Sequence, residues 1–114
     1  MKMFSEEWVK ALVERLKKDE EFQKKGVGFD SNLQFKVLKD SKVKLESDTA
    51  FGMWIPSCDP FWYGTKDDKE VDIIHEAKAG VYTEVFGGKK NVVMALTMGS
   101  IKLKKGSLTK LTGN

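Results

Sequence analysis

The chain contains one histidine and one cysteine, His75 and Cys58, and these are the side chains best suited to nucleophilic chemistry. A cysteine–histidine pair needs both groups within hydrogen-bond reach and a third group that orients the base. Nothing in the spacing of His75 and Cys58 indicates such an arrangement. His75 falls on the same side of an alternating run as Val71 and Ile73, which predicts a half-buried histidine whose hydrogen bonds are satisfied.

The other polar residues also lack the spacing or setting of a metal, carboxylate-pair or phosphate-binding site. A zinc site requires closely spaced ligands, and the sequence has no CxxC or HxxxH. Asp67 and Asp68 could pair, but they lie in a lysine-flanked turn, where acids usually serve turn geometry. The segment FGGKKN lacks the phosphate-loop pattern, because position 83 is Thr and position 90 is Lys. We therefore expect no catalytic residue, no metal and no cofactor.

Lysine is concentrated at the C-terminal end. The net charge is +3, yet residues 87–114 contain six lysines and no acidic residue. Such a segment is compatible with a solvated surface, with transient contact to an anionic membrane, or with nucleic-acid binding. The nearby aromatic residues belong to apolar stripes and no recognition module is visible, so we expect no nucleic-acid partner.

The composition predicts one globular domain over residues 1–114. Hydrophobic residues make up 40% and charged residues 32%, which excludes a disordered or fibrous class. Glu6 and Glu7 precede any apolar leader, and the longest uncharged run, 91–101, is shorter than the roughly 20 residues that span a bilayer. A single cysteine suits a reducing compartment. We expect a cytoplasmic protein that is a monomer or a weak dimer.

The N-terminal half shows one helical pattern followed by strand patterns. Apolar residues recur from Trp8 through Leu12 to Leu16, with Ser5 as a candidate cap, which predicts one amphipathic helix over 5–22. Alternation over 33–37 and 43–45 predicts an antiparallel hairpin over 33–46, the start of a meander. The later predicted strands are 49–55, 61–64 and 70–76.

The C-terminal part adds short helices and one strand. A helix is predicted over 79–86, with Gly87 and Gly88 ending it, and a second over 91–98. Ile101 and Leu103 should point inward from a strand, and Ser107 can cap a last helical turn. The order of elements predicts an α+β fold with helices on one face of a mostly antiparallel sheet.

The segment EVFGGKKNVVMALTMGSIKLKKGSLTKL (84–111) resembles the C-terminal signature of the sterol carrier protein family. In that pattern a helix ending in glycine precedes a short helix, a second glycine, a strand of alternating apolar and basic residues and a leucine-bearing helix. These places are occupied here by Gly88, Gly99, Ile101, Leu103 and Gly106. The resemblance implies a five-stranded sheet whose helices enclose an apolar tunnel for a fatty-acyl, sterol or other lipid ligand.

The run from Val92 to Met98 is consistent with such a tunnel. Valine and leucine form one apolar stripe of the predicted helix, Met94 and Met98 form another, and methionine is common at adaptable binding surfaces. The predicted ligand-binding residues are Phe35, Trp54, Phe86, Val93, Met94, Leu96, Met98, Leu108 and Leu111. We expect non-catalytic lipid binding and transfer. The alternative is a small-molecule enzyme or accessory subunit that uses the same cavity, with His75 or Tyr82 as acid or base.

Overall fold

The computed structural model describes residues 2–87 and 101–105. Within these residues the chain forms three α-helices and five β-strands. In chain order they are α1 (Glu6–Lys18), α2 (Glu20–Lys25), β1 (Ser31–Leu38), β2 (Thr49–Ile55), β3 (Phe61–Tyr63), β4 (Ile73–Lys78), α3 (Ala79–Phe86) and β5 (Lys102–Lys105). The predicted helix over 79–86 is confirmed, whereas the predicted helix over 91–98 and the last helical turn lie outside the described residues.

The predicted single helix over 5–22 is wrong, because the chain breaks at Asp19. Ser5 caps α1, as expected, by accepting a hydrogen bond from the backbone N–H of Trp8 at 3.3 Å. Asp19 adopts an extended conformation and its carboxylate accepts a hydrogen bond from the backbone N–H of Phe22 at 3.0 Å. An aspartate that caps a new helix ends the previous one, so α2 begins as a separate element.

The five strands form one mixed sheet in the order β3-β2-β1-β4-β5. The β1–β2, β2–β3 and β4–β5 pairs are antiparallel, and β1 and β4 are parallel. The five-stranded, mostly antiparallel α+β fold is therefore confirmed. The meander is wrong, since β4 lies beside β1 rather than beside β3.

The predicted hairpin over 33–46 is also wrong. Strand β1 pairs with β2, with Phe35 opposite Phe51, and the intervening segment is a loop. In that loop the Asp40 carboxylate accepts a hydrogen bond from the backbone N–H of Lys42, and the backbone of Asp40 bonds with that of Leu45 at 3.0 Å. This local closure gives residues 41–43 a 3-10 turn instead of a strand.

The hydrophobic core lies between the helices and one face of the sheet. Helix α1 buries Leu12 together with Val9 and Val13, while Trp8 and Leu16 pack at the edge of the core. The residues that the strands contribute are Leu33, Phe35, Val37, Phe51, Met53, Ile55, Ile73 and Ala77. The buried side chain of Ile101 and the half-buried side chain of Leu103 confirm the predicted inward face of β5.

The opposite face of the sheet is partly covered by the chain after β3. Gln34 is fully buried there, and its side-chain oxygen accepts hydrogen bonds from Trp62 Nε1 at 3.1 Å and from the backbone N–H of Lys66 at 2.8 Å. The Trp62 ring lies over Gly52, where a Cβ atom would collide with it. The two faces of the sheet are therefore distinct, with helices on one and the Trp62 ring and the chain after β3 on the other.

Candidate ligand cavity

A cavity of about 240 Å³ lies between the helices and the inner face of the sheet. This volume exceeds the roughly 150 Å³ of an engineered apolar cavity that stays dry and binds benzene. The described residues that line it are Leu16, Phe22, Gly26, Phe29, Leu33, Phe35, Met53, Ile55, His75 and Phe86. All of them except His75 are apolar side chains or glycine, so the cavity favours an apolar occupant.

One wall is built by α2 and the turn that follows it. The Gln23 side-chain nitrogen donates hydrogen bonds to the backbone oxygens of Leu16 at 3.0 Å and Pro56 at 2.7 Å. Gly26 packs so closely on the same proline that an added Cβ would lie 2.6 Å from Pro56 Cβ. These contacts fix α2 between α1 and the chain after β2, which positions Phe22 at the cavity.

The other wall is formed by Phe86 at the end of α3. Its ring lies 5.6 Å from that of Phe35 and 6.0 Å from that of Trp8, measured between ring centroids and with edge-on geometry. Its backbone oxygen accepts a hydrogen bond from Arg15 Nη2 at 3.3 Å. Contacts with α1 and with β1 of the sheet therefore hold Phe86 in place at the end of α3.

His75 is the polar group at the cavity. It lies on β4 beside Phe35 of β1, is 1% exposed, and contacts the Phe35 ring edge-on at 5.7 Å. Neither ring nitrogen has a hydrogen-bond partner among the described residues. Burial lowers the pKa of His75 from 6.5 to about 4, so the ring is neutral at pH 7. The predicted half-burial of His75 is thus wrong, and the predicted hydrogen bonds are not found among the described residues.

The other reactive side chains do not form a catalytic group with His75. Tyr82 is buried with an unpartnered hydroxyl, and burial together with the nearby Glu76 charge raises its pKa. Burial raises the pKa of the Cys58 thiol to about 11, and its Sγ lies 3.5 Å from the backbone oxygen of Pro56. Among the described residues, no cluster of three or more His, Cys, Asp or Glu side chains could hold a metal ion.

Of the predicted ligand-binding residues, the structure brings Phe35 and Phe86 together at the cavity. It places Trp54 elsewhere, because Met53 and Ile55 line the cavity and successive side chains of a strand point to opposite faces. Trp54 therefore belongs to the outer face of the sheet, and its assignment to the cavity is corrected. Six further predicted residues lie outside the described part of the chain: Val93, Met94, Leu96, Met98, Leu108 and Leu111.

Sequence reasoning missed most of the wall. Phe22 and Phe29 flank Gly26 and Gly28 at and beyond the end of the predicted helix, where no repeating pattern indicates a binding wall. Leu33 shares the inward face of β1 with Phe35, so the period of two already placed it beside a predicted lining residue.

No helix in the described parts of the chain is long and apolar enough to cross a membrane.

The fold and the cavity define a class of protein, namely small α+β domains with an apolar cavity between their helices and one face of a mixed sheet. The sequence matches no protein-family model and no curated protein, so the likeness to known proteins is one of structure. Several solved structures share this architecture over nearly the whole chain.

A crystal structure of sterol carrier protein 2 has a TM-score of 0.77 and 26% sequence identity, covering 96% of this chain and 85% of that one. A Thermus thermophilus protein described as possibly sterol carrier protein has a TM-score of 0.76 and 26% identity, covering 97% and 78%. Palmitated SCP2L2 from Aedes aegypti has a TM-score of 0.59 and 16% identity, covering 92% and 88%. The chain therefore shares the fold of sterol carrier protein 2 over nearly its whole length, in agreement with the resemblance of segment 84–111 to the sterol carrier protein family.

Proposed function

We propose that this protein binds one lipid molecule in the cavity beneath α1 and α2 and transfers it without changing it chemically. The observation that carries the proposal is the cavity of about 240 Å³ whose described wall is apolar apart from one neutral histidine. The structural similarity of the chain to sterol carrier protein 2 supports the same function. Burial contributes about 0.8 kcal/mol per methylene, so affinity should rise about fourfold with each added carbon until the cavity is full.

The proposed ligand is a lipid of the fatty-acyl, sterol or isoprenoid class, with a fatty-acyl or isoprenoid chain favoured over a sterol. A volume of about 240 Å³ is below the roughly 300–1,000 Å³ of pockets for drug-sized molecules, which favours a slender chain over a bulky ring system. The palmitated state of the Aedes aegypti neighbour supports an acyl ligand for that protein, and we extend it to this one.

The enzyme alternative is less well supported by the geometry. A general base must be oriented by a partner, and neither His75 nor Tyr82 has one among the described residues. The pKa of about 4 also makes His75 a weak base at neutral pH. We therefore propose a carrier without catalytic residues.

We propose that residues 1–114 act as one lipid-binding domain, and that Val93, Met94, Leu96, Met98, Leu108 and Leu111 complete the cavity wall. The buried, free Cys58 supports a reducing compartment such as the cytoplasm. The proposed partners are the lipid and, transiently, an anionic membrane surface, with the protein acting as a monomer or weak dimer and without nucleic acid.

A pair of substitutions on β1 tests the cavity as the binding site. Leu33 lines the cavity, whereas Leu38 lies on the same strand with its side chain on the opposite face. Leu33→Trp should fill part of the cavity and weaken binding of a fluorescent fatty acid at least tenfold. The matched change Leu38→Trp should leave binding unchanged.

Both variants must retain the circular dichroism spectrum of the wild-type protein, because overpacking a core costs about 1–3 kcal/mol. Equal binding by the two folded variants would show that the fatty acid does not occupy this cavity. The proposed binding site would then be wrong.

A further inference from the structure

We propose that His75 is a hydrogen-bonding anchor inside the cavity that selects lipids with a neutral hydroxyl group and holds this group inward. The inference rests on the proposed function and adds to it the chemical class of the ligand and its orientation. It is carried by three observations: the position of His75 at the cavity, its complete burial, and the lack of a protein partner for either ring nitrogen among the described residues.

The described part of the fold leaves His75 no protein partner. Its strand neighbours in the sheet are Phe35 on β1 and Leu103 on β5, both apolar, and the Phe35 ring approaches it edge-on. The Tyr82 hydroxyl is unpartnered as well, so the two groups do not bond to each other. Buried polar atoms are nearly always paired in folded proteins, and an unpaired one beside a cavity therefore indicates a partner that enters the cavity.

The chemistry of a neutral imidazole matches a hydroxyl group. One ring nitrogen of neutral histidine donates a hydrogen bond and the other accepts one. A hydroxyl group can also donate and accept, so it can serve either nitrogen. A carboxylate only accepts, and burying it in its ionised form in an apolar space is costly.

The charges around the cavity also disfavour an inward carboxylate. No described lining residue is cationic. On β4 the next residue, Glu76, faces the other side of the sheet and pairs with Lys104 at 3.5 Å. An ionised group buried without a counter-charge is strongly unfavourable, so a fatty acid should bind with its carboxylate toward solvent and without contact to His75.

Matched ten-carbon ligands test the anchor. We would measure displacement of a fluorescent apolar probe by 1-decanol and by decanoate at pH 7.5, using the wild-type protein, His75→Phe and His75→Gln. His75→Phe should weaken decanol binding about five- to tenfold, the effect expected for a lost buried hydrogen bond, and leave decanoate binding within about twofold. His75→Gln keeps a donor and an acceptor and should restore most of the decanol affinity.

A measurement on the unmodified protein guards against variants that do not fold. Decanol should change the ¹⁵N chemical shifts of the His75 ring nitrogens in the wild-type protein, and decanoate at saturating concentration should leave them nearly unchanged.

The outcomes separate the anchor from the proposed function. If His75→Phe binds decanol and decanoate as the wild-type protein does, or the ring nitrogens respond equally to both ligands, lipid binding stands and the anchor is wrong. If neither ligand displaces the probe from the wild-type protein, the proposed function fails and the anchor fails with it.

Discussion

At the scale of single residues, His75 is the least expected feature of the core. A neutral histidine whose two nitrogens are unpaired among the described residues occupies a position where an aliphatic residue would fit the apolar surroundings. Burying polar atoms without partners costs about 1–3 kcal/mol. A residue kept at this cost is typical of a functional site, which agrees with its position at the cavity wall.

The buried histidine should make stability fall in mildly acidic solution. The folded pKa of about 4 lies below the usual value of 6.5, so between these values the unfolded chain binds the proton that the folded protein excludes. Stability is therefore full above pH 6.5 and falls as the pH is lowered toward 4. The loss attributable to His75 should approach about 3 kcal/mol.

Urea denaturation of the wild-type protein and His75→Phe between about pH 7.5 and pH 4.5 measures this contribution. Hydrogen bonds from the backbone N–H groups of Lys42 and Gly80 lower the pKa of Asp40, so this carboxylate loses its contribution only below its usual value of 3.8 and does not interfere. Parallel pH profiles for the two proteins would show that His75 is already partnered or solvated.

At the scale of elements, the separate helix α2 determines the shape of the cavity. It contributes Phe22 to the wall, and the turn after it contributes Gly26 and Phe29. A single helix continuing through Asp19 would carry these residues along the axis of α1 instead. The break at Asp19 therefore allows Phe22, Gly26 and Phe29 to line the cavity.

Removing the cap of α2 tests this role of Asp19. Asp19→Ala deletes the acceptor for the backbone N–H of Phe22 and should lower the free energy of unfolding by about 0.5–2 kcal/mol. Asp19→Asn keeps an acceptor oxygen and should retain most of the stability. Urea denaturation compares the variants, and equal losses for Ala and Asn would indicate that the carboxylate charge matters rather than the cap.

The sequence predicted elements better than it predicted their partners. Periodicity located β1, α3 and the inward residues of β5, because a half-buried element imposes its own spacing on apolar residues, and the continuous apolar run over 49–55 located β2. Periodicity did not reveal that β1 pairs with β2 and β4. Alternation defines which side chains of a strand point inward, but it does not indicate which strands lie beside it in the sheet. The alternation over 43–45 was too short to outweigh the local hydrogen bonds of Asp40.

The cavity was predictable only in part for the same reason. Phe35 and Phe86 could be placed at a shared apolar space, but strand alternation turns the side chain of Trp54, which was predicted at the same space, to the other face. The lack of a partner for His75 among the described residues depends on what β1 and β5 place beside it. No local sequence pattern contains that information.

At the scale of the whole molecule, the uneven charge bears on how a carrier would meet a membrane. Among the lysines of the C-terminal end, Lys104 pairs with Glu76 at 3.5 Å and Lys105 Nζ donates a hydrogen bond to the backbone oxygen of Asp68 at 2.7 Å. These contacts hold part of the positive charge against the sheet. Exposed pairs of this kind contribute about 0–1 kcal/mol, so the lysines remain able to attract an anionic surface.

Binding to vesicles should therefore depend on salt. Co-sedimentation with phosphatidylserine-containing vesicles should decrease strongly between about 0.1 M and 1 M salt, because the screening length falls from about 10 Å to about 3 Å. Neutral phosphatidylcholine vesicles provide the control. Equal binding to both vesicle types would leave the six lysines as ordinary solvated surface.

Native mass spectrometry of protein purified without detergent tests the central claim most directly. The account predicts a species heavier than the polypeptide by the mass of one lipid, which collisional activation releases unchanged, and refilling of the lipid-free protein by one equivalent of added fatty acid or fatty alcohol. A protein that carries no lipid and takes up neither ligand, or that releases a chemically altered product, would contradict it.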